Sequence, residues 1–240
     1  MSPRLFKIAA AFAIISFLVV IFMFSPLFYL QEVIISGYNT VSTTEIRERL
    51  EVGNTTNLLL FNANNARSRI MENLYISDVS FTRRMPGRLY VHIRERRLAA
   101  YIEHTPGSFL YIDEHGRVLE VRPFTSGLLP KVTGLNFTSF TLGEILYVPD
   151  NAAFNIVTQY AQLIYRHGLS EMVSSIDVSD TQNTRILIGY VEFNVGGLRD
   201  AEEKIGIITG IMNEMPEAER ARGFVDLRDI NEEFFFEILT

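Results

Sequence analysis

The 240-residue chain has no cysteine, which excludes a disulfide framework and thiolate chemistry. Histidine is scarce, with four copies at His92, His104, His115 and His167. None stands in H-E-x-x-H or another metal-ligand spacing. The G-x-S-x-G, S-x-x-K, P-loop and G-x-G-x-x-G patterns are all missing. Adjacent carboxylates such as Glu202-Glu203 and Glu232-Glu233 point in different directions and read as solvated surface. Catalytic groups distant in sequence can converge in space. From the residues themselves, though, no catalytic residue, no cofactor, no metal and no small-molecule substrate is expected. Positive charge is also in short supply. Net charge is −6, and residues 96–240 hold twelve Lys/Arg against twenty-one Asp/Glu. That acidic excess argues against nucleic acid as a partner. Low-complexity tracts and internal repeats are absent as well.

Charge of either sign is missing from residues 8–30, a run of 23. As a helix this run would reach about 34 Å, enough for a hydrocarbon core of roughly 30 Å. Eleven Leu, Ile, Val or Phe side chains between Ile8 and Phe24 favour insertion by on the order of 4 kcal/mol. Arg4 and Lys7 flank the run on its N-terminal side, and the next basic residue after it is Arg47. The positive-inside rule then keeps residues 1–7 in the cytoplasm and exports everything after residue 30. A cleaved signal peptide fits less well, because the run exceeds about 7–15 residues and no A-x-A-like site follows it.

Residues 28–95 read as strand, helix, helix, strand, strand. The β-branched and aromatic stretch 28–36 stops at Gly37-Tyr38-Asn39. Ser42-Thr43-Thr44-Glu45 is a capping-box pattern, in which Ser42 accepts from the Glu45 amide and the Glu45 carboxylate reaches back. A second helix starts near Asn62 and spaces Ala66, Ile70 and Leu74 by four. Val79 and Phe81, then Leu89, Val91 and Ile93, alternate with polar residues about a Pro86-Gly87 turn. Arg83, Arg84, Arg88, Arg94, Arg96 and Arg97 cluster there with only Glu95 against them. Two readings of that cluster stay open: a solvated, salt-bridged face, or a contact for anionic lipid or an acidic partner.

From residue 97 onward strands dominate. They are expected at 99–103, 109–112, 117–121, 173–178, 185–189, 191–195, 223–228 and 233–239. Leu129-Pro130-Lys131-Val132-Thr133-Gly134 reads as a connection. Helices are expected at 151–167, stopped by Gly168, and at 200–215, ended by Pro216.

A β-α-α-β-β order directly after one apolar span resembles a POTRA domain, and more narrowly the FtsQ/DivIB family of bacterial cell-division proteins. The matching pieces are Val33-Ile34-Ile35-Ser36-Gly37-Tyr38-Asn39, Val79-Ser80-Phe81-Thr82-Arg83-Arg84-Met85-Pro86, and Val91-His92-Ile93-Arg94-Glu95-Arg96. Further on come Ile112-Asp113-Glu114-His115-Gly116, Leu129-Pro130 with Gly134, and Val225-Asp226-Leu227-Arg228. The resemblance implies an α+β protein: cytoplasmic tail 1–7, transmembrane helix 8–30, POTRA domain 31–95, and a mostly antiparallel β domain with two helices over 96–240. Nothing follows the last expected strand, which looks more like the FtsQ form than like tailed DivIB members. The seven-residue cytoplasmic tail leaves little for cytoplasmic contacts.

The function so implied is a non-enzymatic, bitopic divisome scaffold at the division septum. It would be single-pass in the cytoplasmic (inner) membrane with its domains periplasmic. It would bind proteins of the FtsB/FtsL type and help regulate septal peptidoglycan synthesis. A membrane-anchored extracytoplasmic cell-wall enzyme is the alternative. The resemblance and the residues together point to the chain end as the partner site. Phe234, Phe235 and Phe236 form an aromatic run in a terminal strand, and strand alternation puts Phe234 and Phe236 on one face and Phe235 on the other. Together with Leu227, Arg228, Asp229 and Ile230 they are the expected residues for strand addition at a sheet edge. The alternative reading is a strand buried on both faces, with the aromatics as core.

Overall fold

The first helix, α1 (Pro3–Met23), stops short of the expected residue 30. Pro26 explains the difference, since it lacks an N–H and pushes the preceding residue out of helical conformation. Ser25 is extended instead, and its hydroxyl accepts from the Leu27 N–H to start a 3-10 turn, Pro26–Phe28. Tyr29 and Leu30 already belong to the next domain, the Leu30 amide donating to Thr56 O at 2.9 Å. Among the described residues no helix is long and apolar enough to cross a membrane. From Ile8 to its end α1 rises about 24 Å, against roughly 30 Å of hydrocarbon.

The computed structural model describes residues 3–125, 127–214, 222–231 and 237–238. Two compact units emerge, Met1–Arg96 and Arg97–Thr240. In the first, β1 (Glu32–Ser36), α2 (Thr43–Leu50), α3 (Ala63–Ile70), β2 (Ile76–Arg84) and β3 (Arg88–Glu95) follow α1. The sheet order is β1-β3-β2, with β1 parallel and β2 antiparallel to the central strand. Ile46 and Leu50 of α2 and Ala66 and Ile70 of α3 bury against Leu89, Val91 and Ile93 of β3. That arrangement is the strand-helix-helix-strand-strand order expected from the sequence.

The start of α2 is where expected, but the capping differs. The Ser42 hydroxyl accepts from the Thr44 N–H at 3.1 Å rather than from Glu45. The Glu45 carboxylate is taken by Arg49 at 2.9 Å and Asn73 at 2.8 Å, so it does not reach back to the cap. Asn62 caps α3 by accepting from Asn64 and Asn65, both at 3.1 Å.

The second unit runs β4 (Leu98–Thr105), β5 (Ser108–Asp113), β6 (Val118–Arg122), β7 (Lys131–Thr133), α4 (Asn151–Arg166), β8 (Val173–Asp177), β9 (Arg185–Ile188), β10 (Val191–Asn194), α5 (Ala201–Glu214), β11 (Gly223–Asp226) and β12 (Glu237–Ile238). Its strands form one sheet in the order β12-β11-β10-β9-β8-β7-β4-β5-β6. Among the described residues five of the ladders are antiparallel. Three are parallel: β4 with β7, β7 with β8, and β10 with β11. The expected connection around Lys131 is thus corrected to a central strand. It joins the β4–β6 meander to the β8–β12 half of the sheet. One core runs through the unit, with Ile156, Val157 and Tyr160 of α4 and Ile205, Ile208 and Met212 of α5 packed against Ile176, Ile186 and Phe193. The expected end of the second helix at Met215 and Pro216 lies outside the described residues.

Candidate functional site

The partner site expected from the sequence lies at the β11–β12 end of the sheet. β11 alternates strictly. Val225 and Leu227 are buried in the core with α5, while Phe224, Asp226 and Arg228 take the other face. Leu227 is fully buried, so it serves packing and presents no side chain to a partner. Phe234, Phe235 and Phe236 lie outside the described residues. Ile230 and Asp229 are half-buried, and Asp229 accepts from the Asn231 amide at 3.1 Å. The Asn231 amide, joined by its side chain, holds the Asp229 carboxyl below the ordinary carboxylate range.

Arg228, the expected charged anchor, has its guanidinium engaged within the chain. Nη2 donates to Asp226 Oδ2 at 2.6 Å and Nη1 to Asn183 Oδ1 at 2.9 Å. Asn183 in turn accepts from Asn194 at the end of β10, at 3.3 Å. The Arg228 guanidinium holds the Asp226 carboxyl below its ordinary value, against the burial that would raise it. Gly196 allows this approach, since a Cβ there would stand 3.1 Å from Arg228 Cγ at a φ of +58°. Each β11 partner on β10 shares the face, Glu192 opposite Phe224 and Asn194 opposite Asp226. Arg185 of β9 pairs with Glu192 at 3.2 Å. The result is a polar face, held by ion pairs and carrying half-buried Phe224 and Leu187. Such a face can recognise a polypeptide by shape and charge.

The four histidines stay apart. His92 meets Ser36 at 3.2 Å, His167 meets Glu202 at 3.1 Å, and His104 stacks on Phe137 with ring centroids 5.4 Å apart. Among the described residues no three His, Asp or Glu side chains gather to hold a metal ion.

A family described as "POTRA domain, FtsQ-type" matches residues 28–96, the stretch that folds as the β1–β3 unit with its leading turn. Over nearly the whole chain the similarity is to proteins named Cell division protein DivIB. That of Clostridium tetani is 24% identical over 216 residues, 89% of this chain and 81% of its own length. That of Clostridium botulinum (strain Hall) is 23% identical over 226 residues, 93% and 88% of the two chains. The chain is thus similar to FtsQ/DivIB proteins, both in its POTRA stretch and over most of its length. A shorter match, to the DivIB of Staphylococcus aureus (strain NCTC 8325), is 35% identical over 100 residues, 42% of this chain and 23% of that one.

Two features of this chain escaped sequence reasoning. The first is the Asp226–Arg228 pair, which the i, i+2 spacing of a strand places on one face. The second is Lys204, which is almost wholly buried and donates from Nζ to Val195 O at 2.7 Å. Burial pushes its ammonium down, Asp200 opposing that and Arg199 adding to it. The signal was present: Lys204 follows Ala201 by three residues and precedes Ile208 by four, so it sits on the apolar stripe of α5.

Proposed function

We propose that this protein is a bitopic divisome scaffold that works by binding, with no catalysis of its own. The apolar part of α1, from Ile8 onward, provides the membrane anchor, with the N-terminus in the cytoplasm and the two folded units outside, at the septum. The apolar side chains of α1 from Ile8 to Phe22 are exposed on all sides, and a helix apolar all round requires a covering that lipid supplies. The carrying observation for the scaffold role is the sheet order. β12 stands at one end of it, beside β11, and an end strand offers backbone N–H and C=O groups to an incoming chain. The occupant in this reading is a segment of an FtsB/FtsL-type pair, and its capture regulates septal peptidoglycan synthesis.

Affinity purification of the full chain from membranes tests the reading. The wild type should recover two small membrane proteins in stoichiometric amounts. A chain truncated before Ile230, or carrying Phe235→Glu, should fold and lose both. Undiminished recovery by a folded Phe235→Glu chain removes the Phe cluster from the site, and turnover of cell-wall material by the pure protein replaces the scaffold with the enzyme reading.

A further inference from the structure

The β2–β3 hairpin turns back toward the end of α1. Gln31 N–H and Glu32 N–H both donate to Gly87 O, at 2.7 and 3.2 Å. Packing there is tight enough that a Cβ on Gly87 would meet the Gln31 side chain at 2.6 Å and Tyr29 O at 2.9 Å. A second loop closes on the same exit, where Asn57 Nδ2 donates to Met23 O at 2.7 Å and Leu58 N–H to Phe28 O at 2.9 Å. The hairpin tip is therefore held beside residues 29–32, the segment that leads from the 3-10 turn after α1 into β1.

What the tip exposes is unlike the rest of the domain surface. Arg83, Arg84, Met85 and Pro86 are consecutive and exposed, Met85 by 45%, and the nearby loop adds Leu60 at 51%. Arg88 is neutralised by Glu32 at 3.1 Å. Arg83 donates to Phe61 O at 2.7 Å and lies over the Phe61 ring, and Arg84 lies over Tyr90. Among the described residues neither Arg83 nor Arg84 has a carboxylate in ion-pair reach. Two uncompensated guanidinium groups flanking an exposed methionine match the two layers of a bilayer surface. Guanidinium groups bind phosphodiesters, and the apolar side chain fits the acyl boundary just beneath.

We propose that this tip rests on the outer bilayer surface, Arg83 and Arg84 binding the headgroups of anionic phospholipid while Met85 enters the acyl boundary. The inference rests on the reading of α1, from Ile8 onward, as a membrane anchor. It fixes the POTRA domain against the membrane by a second, charge-dependent contact.

The absence of native cysteine allows a direct test with single-cysteine variants of the full chain, reconstituted in vesicles and labelled with a fluorophore. The quencher is carried on lipid chains near the headgroups. Val19→Cys reports the anchor, Met85→Cys the tip, and Asn39→Cys the far end of β1. In vesicles of phosphatidylglycerol and phosphatidylcholine at one to three, the labels at 19 and 85 should be quenched and that at 39 should not. Replacing the phosphatidylglycerol by phosphatidylcholine, or adding 0.5 M salt, should release position 85 alone. Arg84→Gln should lower the docked-to-free ratio about fivefold, and Arg83→Gln with Arg84→Gln about 25-fold. No quenching at 19 defeats the anchor reading and the tip contact together. Quenching at 19 without quenching at 85 overturns the tip contact alone. Quenching at 85 that is indifferent to lipid charge and to both arginines overturns the headgroup recognition.

Discussion

The carboxylate of Glu95, at the end of β3, accepts the backbone N–H of Val41 at 2.9 Å, 54 residues away in sequence. Asn39 and Thr40 donate to the same carboxylate, each at 2.8 Å. One side chain thus gathers three consecutive amides of the β1–α2 loop and ties it to the sheet. Burial raises the Glu95 pKa, but the three amides outweigh it and hold the group below its ordinary value.

Replacing Glu95 should therefore loosen the POTRA fold. Glu95→Ala is expected to cost about 1–3 kcal/mol, because the charge-assisted bonds are lost and the loop amides are left to water. Glu95→Gln, which keeps one acceptor oxygen, should cost less. The pH dependence follows from the sign of the shift. A carboxyl depressed in the folded state contributes its stability above the ordinary carboxylate range and loses it as pH falls through the depressed folded value. Thermal melts of the full chain in detergent, from pH 7 to pH 3, should show a steeper acid loss for the wild type than for Glu95→Gln. Parallel curves would deny the clamp.

Gly37 ends β1 at a φ of +79°, and a Cβ added there would stand only 2.1 Å from Ile93 O. Gly37→Ala is expected to cost more than about 2 kcal/mol, since backbone strain adds to a collision with main chain that cannot yield. Gly53 has an ordinary φ and nothing within 4 Å of its missing side chain. Gly53→Ala should be neutral or stabilising by up to about 1 kcal/mol. Urea denaturation of the two variants side by side measures the contrast, and equal effects would contradict the close approach at Gly37.

Lys204 separates a buried cation from a surface one. Lys204→Met should destabilise the second unit by about 1–3 kcal/mol, because Val195 O loses its donor inside the core. Lys131 pairs with Glu103 at 2.7 Å on the surface, and Lys131→Met should change stability by no more than about 1 kcal/mol. Differential scanning calorimetry distinguishes them. A melting temperature unchanged by Lys204→Met would mean that water reaches Val195 O.

Much of this molecule was written in local patterns. Ala153, Ile156, Val157, Tyr160 and Ile164 recur at helical spacing, and α4 forms there with Gly168 beyond its end at a φ of +72°. Leu89, Val91 and Ile93 alternate, and β3 buries all three. Such periodicities depend only on residues a few positions apart, so they survive without any knowledge of the fold. The β-α-α-β-β order was legible for the same reason.

Other features depend on partners far away in sequence, and only the tertiary structure decided them. Three residues, Lys131 to Thr133, are too few to show a period, and they become a strand because β4 and β8 stand on either side. Ser42 and Glu45 have the spacing of a capping box, yet Arg49 and Asn73 win the carboxylate. Leu227 and Arg228 look alike as candidates in a linear motif. Burial takes Leu227 into the core, and Asp226 with Asn183 holds the Arg228 guanidinium. Sequence alone determined most of the helices and strands, those with a clear local period, and where charge is missing. The tertiary structure decided which polar groups are already satisfied, because a side chain's hydrogen-bond partners are set by packing rather than by its neighbours in the chain.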